Sequence, residues 1–169
     1  VGVIDADLGL AGGDLRAAER TYQLLHQVAG RAGRAERPGR VLLQIYMPEH
    51  GVMRALSSGA RDAFLVAEAA AREEAGMPPY GRLAAVVLSG RSEREVLEFG
   101  RELLRAAPLA EQLRIFGPAP APIAMVRGRH RARLLIKAPR AYNLSAYMAA
   151  WLGAVKIPAG IRAAIDIDA

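Results

Sequence analysis

Apolar residues recur first at helical and later at strand spacing, and the change of period divides the chain. Val1 to Ile4 is a short apolar run closing on Asp5, the pattern of a parallel strand whose carboxyl end opens into a loop. Beyond the glycines at 9, 12 and 13, Leu15, Ala18, Tyr22, Leu25 and Ala29 lie three and four apart. This spacing predicts a helix that buries one face, with Asp14 as its N-cap and Gly30 ending or loosening it, so that Arg31 and Arg34 fall on a turn. Val41 to Ile45 predicts a second buried strand. Val52 to Leu56 and Asp62 to Ala75 predict helices, the second stopped by Met77-Pro78-Pro79-Tyr80, because proline removes a donor and extends its predecessor.

From there the pattern is that of a second domain. Leu83 to Leu88 predicts a strand, and Ser92-x-x-Glu95 a capping box opening a helix with Val96, Phe99, Leu103 and Leu104 inward. Leu113 to Phe116 predicts a strand ended by the proline-rich run 117–122. Arg133 to Lys137 predicts another, paired with Ile123 to Val126 across a basic turn. Leu144, Tyr147, Met148, Trp151, Leu152 and Val155 form a helical stripe, and Ile161, Ala163, Ile165 and Ile167 alternate as a final strand. The order β-α-β-β-α-β predicts a ferredoxin-like split βαβ sandwich. The fold class is therefore α/β, α+β overall. Three parts are expected: residues 1–48, a helical connector over 49–81, and a C-terminal domain over 82–169.

Composition narrows the class. The hydrophobic fraction is 52%, enough for a packed core, and no apolar run approaches the ~18 residues of a membrane span. No signal peptide pattern opens the chain. There is no cysteine, which excludes disulfides and cysteine-bound zinc within these residues. The net charge of +6 is unevenly placed. Residues 1–111 carry 14 basic and 15 acidic side chains; the 54 residues from Gln112 to Ile165 carry nine basic and no acidic one, before Asp166 and Asp168 close the chain. That imbalance predicts a positive surface facing a polyanion.

Two constellations carry candidate chemistry. Gln27-Val28-Ala29-Gly30-Arg31-Ala32-Gly33-Arg34 holds two arginines three apart, each preceded by glycine. Arginine is always ionised and presents a rigid planar fork, which suits charge building on a transferring phosphoryl group. Arg127-Gly128-Arg129-His130-Arg131-Ala132-Arg133 holds four arginines in seven residues. On a strand these would project to one exposed face as a row of phosphate contacts, continued by Lys137 and Arg140. His130 flanks the row. Asp5 and Asp7 admit a paired-carboxylate metal reading, but residues ending a strand more often serve turns or arginine partners. Asp14, Arg16, Glu19 and Arg20 suit either structural ion pairs or a coupling role. Trp151 and Tyr147 are readable as base-stacking rings, yet their apolar stripe favours the core. No G-x-x-x-x-G-K-[ST] phosphate loop is present, since the only lysines are Lys137 and Lys156, and no D-E-x-H-like Mg²⁺ box occurs. A chain that starts at Val1, in mid-strand and without methionine, is expected to be part of a longer protein.

The Gln27–Arg34 block resembles the last conserved motif of superfamily 2 helicases, Q-x-x-G-R-x-G-R. With Val1 to Asp7, Asp14 to Arg20 and Gln23 to His26 before it, the whole chain resembles the PriA-type (primosomal protein N-prime) replication restart helicases. The resemblance implies that residues 1–48 end the second RecA-like motor lobe and that 82–169 form a ribosomal-protein-like DNA-binding domain. It implies an ATP-dependent 3′–5′ DNA helicase, cytoplasmic and nucleoid-associated, that recognises stalled forks and restarts replication by primosome assembly. ATP and Mg²⁺ would be bound mainly by a lobe outside this chain, and zinc upstream of it; these residues alone would be inactive and hold no cofactor. Gln27, Gly30, Arg31 and Arg34 would face the nucleotide, with Arg34 favoured as the arginine finger and Arg31 as its partner, an assignment that stays open between them. Implied partners are forked and single-stranded DNA, single-stranded DNA-binding protein and other primosome proteins, with no membrane. The basic residue offered to the acidic tail of single-stranded DNA-binding protein falls near Arg140, although Ala141, Asn143 and Ser145 depart from the family pattern. The alternatives are a nucleic-acid-binding module without a motor and a loader with a degenerate ATP site; residues upstream of Val1 separate them.

Overall fold

The computed structural model describes residues 1–12, 16–32 and 39–168. It divides into two compact units, Val1–Ala70 and Ala71–Ala169.

In the first unit, strands β1 (Gly2–Val3) and β2 (Leu42–Leu43) pair in parallel, and a 3₁₀ turn, Leu8–Gly12, leads towards helix α1 (Ala17–Ala32). Tyr22 and Leu25 of α1 are buried against Val52, Met53 and Ala55 of α2 (Gly51–Ser58) and Phe64 of α3 (Arg61–Glu74). The rings of Tyr22 and Phe64 stack at 5.2 Å. His50 caps α2, its Nδ1 accepting from the Val52 amide at 3.2 Å. Two expectations are corrected here. Ala29 is exposed, so the buried stripe stops at Leu25. Gly30 does not end the helix: α1 continues to Ala32, and Arg31 lies in its last turn. A glycine costs a helix only about 1 kcal/mol relative to alanine, too little to break one held by packing. Asp14 and Leu15 lie outside the described residues.

The second unit has a four-stranded antiparallel sheet ordered β4-β5-β3-β6, formed by β3 (Gly81–Gly90), β4 (Arg114–Val126), β5 (Arg129–Pro139) and β6 (Arg162–Ile167). Helix α4 (Glu93–Arg105) follows β3 and α5 (Leu144–Gly153) follows β5. This is the β-α-β-β-α-β connectivity of a split βαβ unit, within a mixed α/β chain. Alternate residues of β3 and β5 (Ala84, Val86, Leu88; Ala132, Leu134, Ile136, Ala138) are buried with Val96, Phe99 and Leu103 of α4 and Leu144, Met148 and Trp151 of α5. Each buried Val, Leu, Ile, Phe or Met side chain among them contributes about 1.5–3 kcal/mol by leaving water, and each alanine less. Ser92 Oγ accepts from the Glu95 amide at 3.3 Å, and Asn143 Oδ1 from that of Ala146 at 3.0 Å, so both helices start on a side-chain cap. Trp151 is fully buried, its indole donating to the Leu103 carbonyl at 3.0 Å, and Tyr147 donates to that of Pro108. Both belong to the core, not to a stacking surface.

The proline run does not end the strand. β4 passes through residues 117–122 to Val126, with register shifts at Phe116/Ala119 and Pro120/Met125. It is an edge strand, where a missing donor breaks no ladder bond on the solvent side. Gly117, at φ +99°, sits where a Cβ would fall 2.6 Å from the Arg133 carbonyl oxygen, so the shift needs glycine. Among the described residues no helix is long and apolar enough to cross a membrane.

Candidate nucleic-acid interface

Because the even-numbered residues of β3 and β5 face the helices, the odd-numbered ones face away, and directly paired residues share a face. The pairing lays out rows on that open face. Across the strands, Arg131, Ser89 and Arg162 form one row; Ala119, Arg133, Val87 and Ala164 the next; Phe116, Leu135, Ala85 and Asp166 a third; and Arg114, Lys137 and Leu83 a fourth. Neighbouring strands are about 4.8 Å apart and same-face positions roughly 6.7 Å apart along a strand, so five cations sit over a floor of small aliphatic side chains. Arg114 and Arg162 are exposed; Arg131, Arg133 and Lys137 are half-buried along their stems. One carboxylate, Asp166, lies on this face. The other late acid, Asp168, is held at the strand end, accepting from Arg82 Nε at 2.6 Å and the Leu83 amide at 2.9 Å.

The row of four arginines is not uniform. Arg131 and Arg133 stand on the open face as strand alternation predicts. Arg127 lies off the strand, in the two-residue turn between Val126 and Arg129, where it and Gly128 both have positive φ (+49° and +70°), the sense of a type I′ hairpin. Arg129 is committed to the fold. Its guanidinium donates to the Ser89 carbonyl at 2.8 Å and the Gly160 carbonyl at 2.7 Å, tying the end of β3 to the loop before β6, while its Nε is buried without a partner. It is therefore not an exposed cation idle for phosphate. Arg129→Ala is expected to destabilise the unit by about 1–2 kcal/mol, a fall in Tm of roughly 5–10 °C for a unit of this size. A thermal melt unchanged from wild type would contradict this. His130 pairs with Gly90 and Met125. Arg140 is exposed in the turn after β5.

Arg114, Phe116 and Arg162 join this surface although strand periodicity around Arg127–Arg133 does not point to them. Arg114 and Arg162 were visible only as members of the acid-free stretch. Phe116 appeared as the last residue of a short strand; the cross-strand register, which places it beside Leu135, is not legible in local sequence.

In the first unit Gln27 and Arg31, one helical turn apart, are both exposed on α1, as is Gly30 between them. Gly33 and Arg34 lie outside the described residues. Asp7 is buried and turned onto backbone: its carboxylate accepts from the amides of Tyr46 and Met47, both at 2.6 Å. Burial pushes the Asp7 carboxyl up, but the Met47 and Tyr46 amides, with the nearby His50, outweigh it and hold the group below the ordinary carboxylate range. Asp7 thus joins the loop after β1 to the segment after β2, a structural duty for this carboxylate. Among the described residues no three His, Asp or Glu side chains gather as a metal site.

Residues 73–169 match the family described as the primosomal protein N C-terminal domain. The chain is 46% identical over 168 residues to the replication restart protein PriA of Rickettsia conorii, covering 99% of this chain and 26% of that protein. It is 43% identical over 144 residues to the PriA of a Synechocystis species (82% of this chain, 17% of the relative) and 37% identical over 160 to that of Bacillus subtilis (88% and 19%). The chain thus spans about a quarter or less of the length of these relatives. It belongs to the PriA family of replication restart proteins, and its second unit carries that family's C-terminal domain.

Proposed function

We propose that this chain is the C-terminal part of an ATP-dependent 3′–5′ DNA helicase that recognises stalled forks and restarts replication by assembling a primosome, working in the cytoplasm at the nucleoid. The observation that carries the reading is the pairing, in one chain of this family, of the Gln27–Arg34 motif with a sheet face bearing five cations and one carboxylate.

In this reading the first unit ends a RecA-like motor lobe. Gln27 and Arg31, exposed on one side of α1, and Arg34 beyond it offer polar and cationic groups toward a nucleotide held mainly by another lobe; the chain has no phosphate loop of its own. ATP with Mg²⁺ supplies the phosphoryl transfer that drives translocation. The chain's own contribution is a fixed positive charge against the charge that grows on the transferring group, and Gln27 orients the arginine that provides it.

The second unit, a ferredoxin-like and ribosomal-protein-like domain, holds DNA. Arg131, Arg133 and Lys137, flanked by Arg114 and Arg162, contact phosphates; Arg127 at the hairpin tip and Arg140 extend the patch, and Arg140 is the cation nearest in place to the one offered to the acidic tail of single-stranded DNA-binding protein. The test is DNA-stimulated ATP hydrolysis and strand displacement on a forked substrate by the complete protein. The 169-residue chain alone is expected to bind DNA and to hydrolyse no ATP. A complete protein that binds forks yet hydrolyses no ATP would replace the helicase reading by that of a loader with a degenerate ATP site.

A further inference from the structure

The open face of the sheet carries a feature that phosphate binding does not need. Phe116, on the edge strand β4, is 52% exposed; other apolar side chains of this unit are exposed too, such as Ile123 and Met125, but Phe116 puts an aromatic ring in the rows that carry the cations. Its row partner is Leu135, and Arg114 and Lys137 stand in the adjacent row, so the ring has cations as neighbours on the open face. A flat aromatic surface beside positive charge serves a ligand that is both a polyanion and a bearer of free π-faces. A duplex presents its phosphates outward and keeps its bases stacked inside, so it would use the cations and leave the ring in water. A single strand offers phosphates and unstacked bases together. Sheets of four strands with an exposed ring meet bases in this way in unrelated single-strand binders.

We infer that the open face takes single-stranded DNA, with one base stacked on Phe116 and the flanking phosphates on Arg114, Lys137, Arg133 and Arg131. The inference rests on the DNA-binding reading given above and narrows it from nucleic acid in general to unpaired strand. Arg114 and Lys137, side by side next to the ring, hold the backbone where it passes the stacked base. Ala85, Val87 and Ala164 leave the floor low enough for neighbouring bases to lie across it. Asp166, beyond Ala85 on the far edge, bounds the path by repelling phosphate on that side.

The experiment uses the whole 169-residue chain and two labelled probes read by fluorescence anisotropy: an oligo-deoxythymidine of about 16 nucleotides and a blunt hairpin duplex of equal phosphate count. Phe116→Ala should weaken binding of the single strand by about tenfold and of the duplex by less than about twofold, with an unchanged salt slope because no charge is removed. Phe116→Trp should keep single-strand affinity, and its added indole fluorescence should be quenched by the single strand and not by the duplex. Equal losses on the two probes, no loss on the single strand, or no selective quenching would overturn the stacking role while leaving the face a phosphate binder. Failure of the wild-type chain to bind either probe would overturn the underlying DNA-binding reading as well.

Discussion

Replacing Arg34 by Ala in the complete protein is expected to lower kcat for ATP hydrolysis by roughly a thousandfold or more, with little change in the ATP concentration needed for half-maximal rate. An arginine finger meets its ligand most strongly when charge has moved onto the transferring phosphoryl oxygens, so its loss falls on the transition state and not on ground-state binding. In the proposed reading the loop and metal that hold the nucleotide belong to another part of the protein, which the substitution leaves intact. Arg31→Ala is the informative companion. Arg31 is anchored in the last turn of α1, one turn beyond Gln27, and a partner that positions the finger should cost less than the finger itself. If Arg31→Ala carries the thousandfold loss and Arg34→Ala the smaller one, the two roles are exchanged. If neither changes kcat, the motif does not act on the nucleotide.

Local pattern revealed the second unit well, because its elements are governed by local rules. The capping residue Ser92, the stripe through Leu144, Tyr147, Met148 and Trp151, and the alternation of β5 each follow from a period or a hydrogen bond within one element. Where the sequence misleads, the deciding contact is distant. The run 117–122 suggests a strand end, yet β4 tolerates its prolines because it lies at the sheet edge, a fact set by the order of four strands. Gly30 suggests a helix end, but the packing of Tyr22 and Leu25 carries α1 past it. Arg129 looks identical to Arg131 in the sequence, and only the loop at Gly160, 31 residues away, turns it into a structural tie. Ile165 alternates with the inward residues of β6 and is still 45% exposed, because β6 is the other edge strand. The candidate interface was half legible for the same reason. Charge density marked β5, whereas the contributions of Arg114, Phe116 and Arg162 depend on register across strands far apart in the chain.

The proposed DNA-binding surface is therefore the open face as a whole and not the row 127–133 alone. Arg131 and Arg162 are the most direct probe, since they share one row across Ser89 and come from strands that meet only in the folded sheet. Each phosphate contact releases counterions and contributes about 0.7–0.9 to the slope of log K against log salt. Removing two should flatten the slope by roughly 1.4–1.8 and weaken binding about thirtyfold near 0.1 M salt, alike for all DNA sequences because phosphates carry no base information. Arg162 is exposed and Arg131 half-buried, so the Tm should stay within about 2 °C of wild type. The decisive measurement is a salt titration of DNA binding by the wild-type chain and by Arg131→Ala/Arg162→Ala. A double variant that folds as wild type but has a slope shallower by about 1.5 is the predicted result. A double variant with the wild-type slope would contradict the account, because the open face would then not be where the DNA lies.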